Sequence, residues 1–252
     1  MEPRLTWEKI TLKLRNPFRL SYGTTEERQA YWLRLAEDAG WGEGTIPPYY
    51  HIDLAETEKR WQIAAECQVP FPDHIEDIGK WVGTEGPAVA RCAIDLALHD
   101  RIGRMTGQPL YALLGLPQPK PMKSTFTIAV DTPAKMAEMA KKFTTYSIFK
   151  IKLAGDGQDI SRLGAIRAAR PDANLRVDLN GGWNAEDAVM LVRELERFGL
   201  ETIEQPVAKD DIEGMGIVQS FTSIPVVADE SVQTIADVKA LAKAGVKGIN
   251  LK

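Results

Sequence analysis

Five short apolar runs in the second half of the chain each end in a charge. They are Phe149-Lys-Ile-Lys152, Leu175-Arg-Val-Asp-Leu-Asn180, Glu201-Thr-Ile-Glu-Gln-Pro206, Pro225-Val-Val-Ala-Asp-Glu-Ser231 and Gly248-Ile-Asn-Leu-Lys252. The charges Lys152, Asp178, Glu204, Asp229 and Lys252 follow one another at intervals of 26, 26, 25 and 23 residues. An interval of about 25 residues suits one strand, one helix and two short connections. Helix signals fall between the runs. Asp131-Thr-Pro133 places a capping residue before proline, and Asn184 opens another helix with Asp187 in the reciprocal position. Gly199 and Gly245 stand where helices should stop. Strands are predicted over 124–130, 147–152, 175–179, 201–204, 225–228 and 248–252.

Repeated βα units make parallel strands, as a barrel or as an open doubly wound sheet. No strand runs into a GxGxxG or Walker phosphate loop, and every later strand ends in a charge. Both facts favour a TIM-like (β/α)8 barrel with about six strands present, because catalytic groups gather at the carboxyl ends of barrel strands.

Working outward, Gly115-Leu-Pro-Gln-Pro-Lys-Pro121 is a stiff connector. It divides an N-terminal α+β capping domain, 1–118, from the barrel domain, 119–252. In the first part Ile10, Leu12 and Leu14 alternate with polar residues, and further strands are predicted over 31–36 and 41–44, with a turn at Asp38-Ala-Gly40. Residues 15–28 read as a polar loop. From His51 the pattern turns helical; a helix opening at Pro87 is predicted to bury Val89, Cys92, Ala93 and Leu96, and a short one covers 111–114.

Composition narrows the partners. The chain has 252 residues, 44% hydrophobic and 26% charged, with 31 Lys+Arg against 35 Asp+Glu for a net charge of −4. That balance is typical of a soluble globular protein and unsuited to general nucleic-acid or anionic-membrane binding. No apolar run approaches the roughly 20 residues of a membrane span, and the charged opening segment does not read as a secretory leader. Cys67 and Cys92 make neither a disulfide framework nor a zinc pattern. A cytoplasmic location is expected.

With 124–130 as strand 1, Lys152 and Lys252 end strands 2 and 6, which are diametrically opposed in a ring of eight. Asp178, Glu204 and Asp229 end the three strands between them. Three converging carboxylate oxygens suit a hard divalent cation such as Mg²⁺. One carboxylate alone would more often be a helix cap; three in succession between lysines point to a site. Lys150 shares a strand face with Lys152, and two adjacent amines near a metal depress each other's pKa, which leaves a neutral base. Asn180 and Glu230 flank the ligands. His51, His74 and His99 are scattered and read as structural, Met136 and Met139 as core, and Ser231 has no histidine beside it for a triad. Trp183 suits the site mouth and a barrel helix equally.

This pattern resembles the enolase superfamily, in particular its muconate lactonizing enzyme subgroup, with Lys-x-Lys on strand 2 and Lys on strand 6. Arg91–Asp100, Gly107–Gly115 and Trp41-Gly-Glu43 are similar to the family's segments ahead of the barrel. The resemblance implies Asp178, Glu204 and Asp229 as Mg²⁺ ligands, Lys152 and Lys252 as the acid–base pair, and Lys150 and Thr127 as substrate or electrostatic support. It implies 1,1-proton transfer at the carbon α to a carboxylate, which racemises or epimerises a small molecule. Ser124-Thr-Phe-Thr-Ile128, Val130-Asp-Thr-Pro133 and His99 are most similar to the dipeptide epimerases, so a dipeptide substrate is expected. O-succinylbenzoate synthase, N-succinylamino-acid racemase and cycloisomerase activities are the alternatives within the subgroup. A catalytically silent fragment or assembly subunit is the alternative outside it. A homo-oligomer stays open. Because Lys252 ends strand 6 of an expected eight, the 252 residues are expected to be part of a polypeptide of roughly 350 residues.

Overall fold

The computed structural model describes residues 4–20, 23–46 and 51–251. The chain forms two compact units. One comprises the described residues of Met1–Arg15 and Glu27–Pro121; the other comprises those of Asn16–Glu26 and Met122–Lys252. Among the described residues no helix is long and apolar enough to cross a membrane.

The antiparallel sheet β1–β2–β3 consists of Leu5–Leu20, Gly23–Leu35 and Trp41–Thr45. Residues 15–28, expected as a polar loop, are largely strand: β1 runs on to Leu20 and β2 begins at Gly23. Backbone pairing needs no apolar side chains, so a mostly exposed ribbon leaves little hydrophobic alternation to read. Where β2 enters the first unit, alternation returns and Tyr31, Leu33 and Leu35 are buried.

Helices α1 (Leu54–Glu66), α2 (Ile75–Val82), α3 (Ala88–Thr106) and α4 (Leu110–Leu113) complete this unit. The buried stripe of α3 is Ala90, Ala93, Ile94, Ala97, Leu98 and Ile102. This corrects the expected stripe, of which only Ala93 is buried; Cys92 and Leu96 are exposed. The cause is close backbone approach. A Cβ at Gly42 of β3 would overlap the carbonyl oxygen of Ala93, and one at Gly40 would overlap that of Ala97. Glycine on the strand and alanine on the helix bring the two backbones together, which turns the larger Cys92 and Leu96 outward.

The second unit is a wall of six parallel strands in sequence order. These are β4 (Thr125–Ile128), β5 (Ile148–Lys152), β6 (Asn174–Asp178), β7 (Leu200–Glu204), β8 (Val226–Ala228) and β9 (Gly248–Ile249). Between them lie α5 (Pro133–Lys142), α6 (Asp159–Ala169), α7 (Ala185–Leu195), α8 (Ile212–Ser220) and α9 (Ile235–Lys243). This is the (β/α) barrel order of neighbours, and the fold is a TIM-like barrel with an N-terminal capping domain. Predicted caps form: Thr132 accepts from Lys135 N, Asn184 accepts from Asp187 N, and Gly199 ends its helical turn at φ 60°.

Strand alternation sorts the side chains. Phe149, Ile151, Leu175, Val177 and Ile203 are fully buried and belong to the core cluster shared with the helices, which includes Leu163, Val192 and Met215. Lys150 and Lys152 take the opposite face. Register does the rest: Lys152 pairs with Asp178 across β5–β6, and Asp178 with Glu204 across β6–β7.

Candidate active site

Register alone puts Lys152, Asp178 and Glu204 in one row at the carboxyl ends of three adjacent strands. Asp229 stands just past β8, which ends at Ala228. The carboxylates of Asp178, Glu204 and Asp229 each present an oxygen within 4.8 Å of the others. All three are at most 9% exposed.

Two lysines reach Asp178 and Glu204 of this cluster. Lys152 Nζ lies 2.7 Å from Asp178 Oδ2 and donates to Asn180 Oδ1 at 2.8 Å. Lys150 Nζ lies 2.7 Å from the same Asp178 oxygen and 2.6 Å from Glu204 Oε1. Asn180 Nδ2 in turn donates to Glu230 Oε1 at 2.7 Å. Thr127 is the register partner of Lys150 on β4. Lys252 lies outside the described residues.

The electrostatics follow from burial and these contacts. Burial pushes Asp178 up, but the charges of Lys152 and Lys150 outweigh it and hold its carboxyl below the ordinary range. Glu204 goes the other way: burial, then the charge of Asp178, lifts it to about 7 against the pull of Lys150. Burial also raises Glu230, against the bond from Asn180 and with the charges of Asp229 and Asp178. Burial pulls Lys150 down, but Asp178 and Glu204 together carry it above the usual lysine value. Lys150 is thus held as an ammonium by the carboxylates, where mutual depression of two amines was expected. The physical reason is distance: both carboxylates touch its nitrogen directly.

The donor set fits a hard cation. Three carboxylates supply only oxygen, and they converge. Such an arrangement would hold a divalent ion and leaves Lys152 as a candidate proton carrier beside it.

Asn250 and Gln205 escaped the sequence reading. Asn250 Nδ2 donates to Glu204 Oε1 at 2.7 Å; its place in the sequence two residues before Lys252, a predicted site residue, was the available signal. Gln205, next to Glu204, is fully buried and bonds to the backbone of Asp229. Ser231 donates to Lys209 O and accepts from Gln205 Nε2, a structural role. Trp183 is 5% exposed and donates to Asp159 Oδ2, so it is a buttress of the loops behind the site. Asp159 also accepts from the backbone of Ala154 and Gly155 and pairs with buried Arg162. Met136 is core, as expected, with Met139 packed against it.

Known proteins match along nearly the whole chain. Residues 5–115 match the family model described as the mandelate racemase / muconate lactonizing enzyme N-terminal domain, and residues 133–252 match that described as enolase C-terminal domain-like. An L-Ala-D/L-Glu epimerase of Bacteroides thetaiotaomicron is 34% identical over 99% of this chain and 66% of that protein. An N-succinyl-L-Arg/Lys racemase of Bacillus cereus is 30% identical over 93% of this chain and 67% of that protein. The crystal structure of a dipeptide epimerase from Enterococcus faecalis, complexed with Mg and the dipeptide L-Leu-L-Tyr, superposes with a TM-score of 0.87 at 30% identity. That superposition covers 99% of this chain and 74% of the epimerase. The chain spans about two thirds of the length of the curated relatives it matches. From these matches and from the order of charges along its strands, the chain belongs to the mandelate racemase/muconate lactonizing enzyme family of the enolase superfamily.

Proposed function

We propose that this chain carries the catalytic half-site of a Mg²⁺-dependent epimerase that acts on dipeptides by 1,1-proton transfer at the carbon α to a carboxylate. The observation that carries the reading is the convergence of Asp178, Glu204 and Asp229, with Lys150 and Lys152 bonded into the same cluster. Asp178, Glu204 and Asp229 would hold the cation, which would supply positive charge to offset the negative charge that develops on the substrate carboxylate as its α-proton leaves.

The chain's own groups do the rest. Lys152, positioned by Asp178 and Asn180, takes the α-proton on one face of the substrate. Lys252, as an ammonium, returns a proton to the opposite face, and the stereocentre inverts. In the other direction the roles exchange. Lys150, with Thr127 beside it, adds positive charge for the substrate carboxylate. The free cysteines Cys67 and Cys92 support a reduced, cytoplasmic setting.

The test is α-proton exchange in D₂O. Lys152→Ala should stop exchange of one substrate enantiomer and spare the other, and Lys252→Ala should do the reverse. Loss of the same enantiomer in both variants sinks the two-faced mechanism. A second reading, racemisation of N-succinylamino acids, is favoured by the 30% identity to the Bacillus cereus racemase. Parallel assays with L-Ala-L-Glu and with N-succinyl-L-arginine separate the two.

A further inference from the structure

Asp178 and Glu204 lie within strands, where the ladder holds their backbones, whereas Asp229 lies one residue past the end of β8. Something else must fix it. Gln205 follows Glu204, is fully buried and has a φ of 37°, a region rare for any residue but glycine. Among the described residues of the second unit, only Asn180 and Gln205 combine a positive φ with a side chain. Both adjoin the carboxylate cluster.

The backbone of Gln205 ties neighbouring strand ends together. Its N–H donates to Val227 O at 2.9 Å, and its carbonyl accepts from Gly181 N at 2.8 Å. Its side chain is saturated. Oε1 accepts from Asp229 N at 2.9 Å and Ser231 N at 3.2 Å; Nε2 donates to Val207 O at 2.9 Å and Ser231 Oγ at 2.7 Å. Chemistry dictates that orientation, since two N–H groups require the amide oxygen and a carbonyl requires the amide nitrogen. A buried amide with all four places filled is rigid, so the backbone it grips at 229 and 231 is rigid too.

We propose that Gln205 is the positioning residue of the cation site: its amide oxygen replaces the missing strand ladder at Asp229 and thereby aims that carboxylate at Asp178 and Glu204. The inference rests on Asp229 being a metal ligand. Glutamine suits the task because it is long enough to cross from β7 to the segment after β8, and it both donates and accepts. Methionine fills the same space and leaves the N–H groups of Asp229 and Ser231 without their acceptor.

Calorimetric titration with Mg²⁺ or Mn²⁺ alone, together with the electron paramagnetic resonance spectrum of bound Mn²⁺, tests the proposal without reference to turnover. Gln205→Met should weaken Mn²⁺ binding about 10- to 100-fold and alter the spectrum of the saturated site. Gln219→Met is the control. Gln219 is another buried amide, at the other end of β8, where it bonds to Val226 N, Thr222 O and Ile224 O. Its loss should lower thermal stability with Mn²⁺ affinity and spectrum intact. If Gln205→Met binds Mn²⁺ as the wild type does while Asp229→Asn does not, the positioning role is overturned and the metal site stands. If Asp229→Asn binds normally, both readings fall. The wild type offers a check that survives a folding failure of the variant: the Asp229 amide should resist hydrogen exchange as well as those of β8. Exchange at the rate of an exposed loop would overturn the proposal.

Discussion

Lys150 and Lys152 share one acceptor: each amine lies 2.7 Å from Oδ2 of Asp178. Strand register brings this about. Lys152 is the direct partner of Asp178, while Lys150, two residues earlier on the same face, reaches up from the layer below to Asp178 and on to Glu204. Lys150 therefore stands where a cation between those carboxylates would also act, and this makes the two competitors for the same charge.

Lys150→Met should lower the stability of the metal-free protein by about 2 kcal/mol, the scale of a hydrogen bond to a charged group. It should also enlarge the rise in Tm that saturating Mg²⁺ produces. Scanning calorimetry with and without Mg²⁺ checks this. An equal rise in wild type and variant would show that Lys150 and the metal do not neutralise the same groups.

Glu204 couples the metal to pH. Its folded value of about 7 lies above the ordinary 4.5, so between these limits the metal-free folded protein holds more protons than the unfolded chain. The contribution of Glu204 to the stability of the metal-free protein is therefore fully present below pH 4.5 and is lost as pH rises toward 7. A bound cation requires the carboxylate, so Mg²⁺ affinity should climb with pH up to about 7 and then level. Calorimetry at pH 6 in two buffers of different ionisation enthalpy should detect a released proton. Identical heats in both would rule the coupling out.

Behind the site, Arg162 is buried against Asp159, also grips Asp156, and donates to the carbonyl of Asp131 at 2.9 Å. Arg162→Ala leaves Asp159, 3% exposed, without its counter-charge. The expected loss is about 3–5 kcal/mol in urea unfolding. A loss below about 1 kcal/mol would mean that the pair acts as a surface ion pair does.

In the first unit, Gly42→Ala forces a methyl group into the Ala93 carbonyl of α3. Overpacking of this kind costs about 1–3 kcal/mol, and the contact is to backbone, which cannot rotate away. Thermal unfolding of the variant should show it. By contrast, a Cβ at Gly79 meets nothing within 4 Å, so Gly79→Ala within α2 should be neutral or stabilising.

How much of this was written in the sequence depends on the range of the interaction concerned. The six parallel strands, the helices between them and the caps at Thr132 and Asn184 were legible because alternation, turn chemistry and capping act within a few residues. The even spacing of Lys152, Asp178, Glu204 and Asp229 was legible for a related reason. A βα repeat converts a period in sequence into neighbours in space, so charges ending successive strands meet at one end of the sheet. The buried stripe of α3 was not legible, because it was decided by Gly40 and Gly42 on a distant strand, nor was the long hairpin, whose exposed ribbon is held by backbone pairing. The charge of Lys150 also needed the fold. In sequence its near neighbour is another lysine, but in space its nitrogen touches Asp178 and Glu204, and Coulomb energy depends on the distance through space. Gln205 is the clearest case. Its residue type is unremarkable in the run Glu-Gln-Pro, and only a backbone at positive φ between two strand ends brings its amide to Asp229. Sequence determined which charges the strands would carry; tertiary structure decided how Lys150, Asp178 and Glu204 bias one another and which neutral side chains keep the cluster in place.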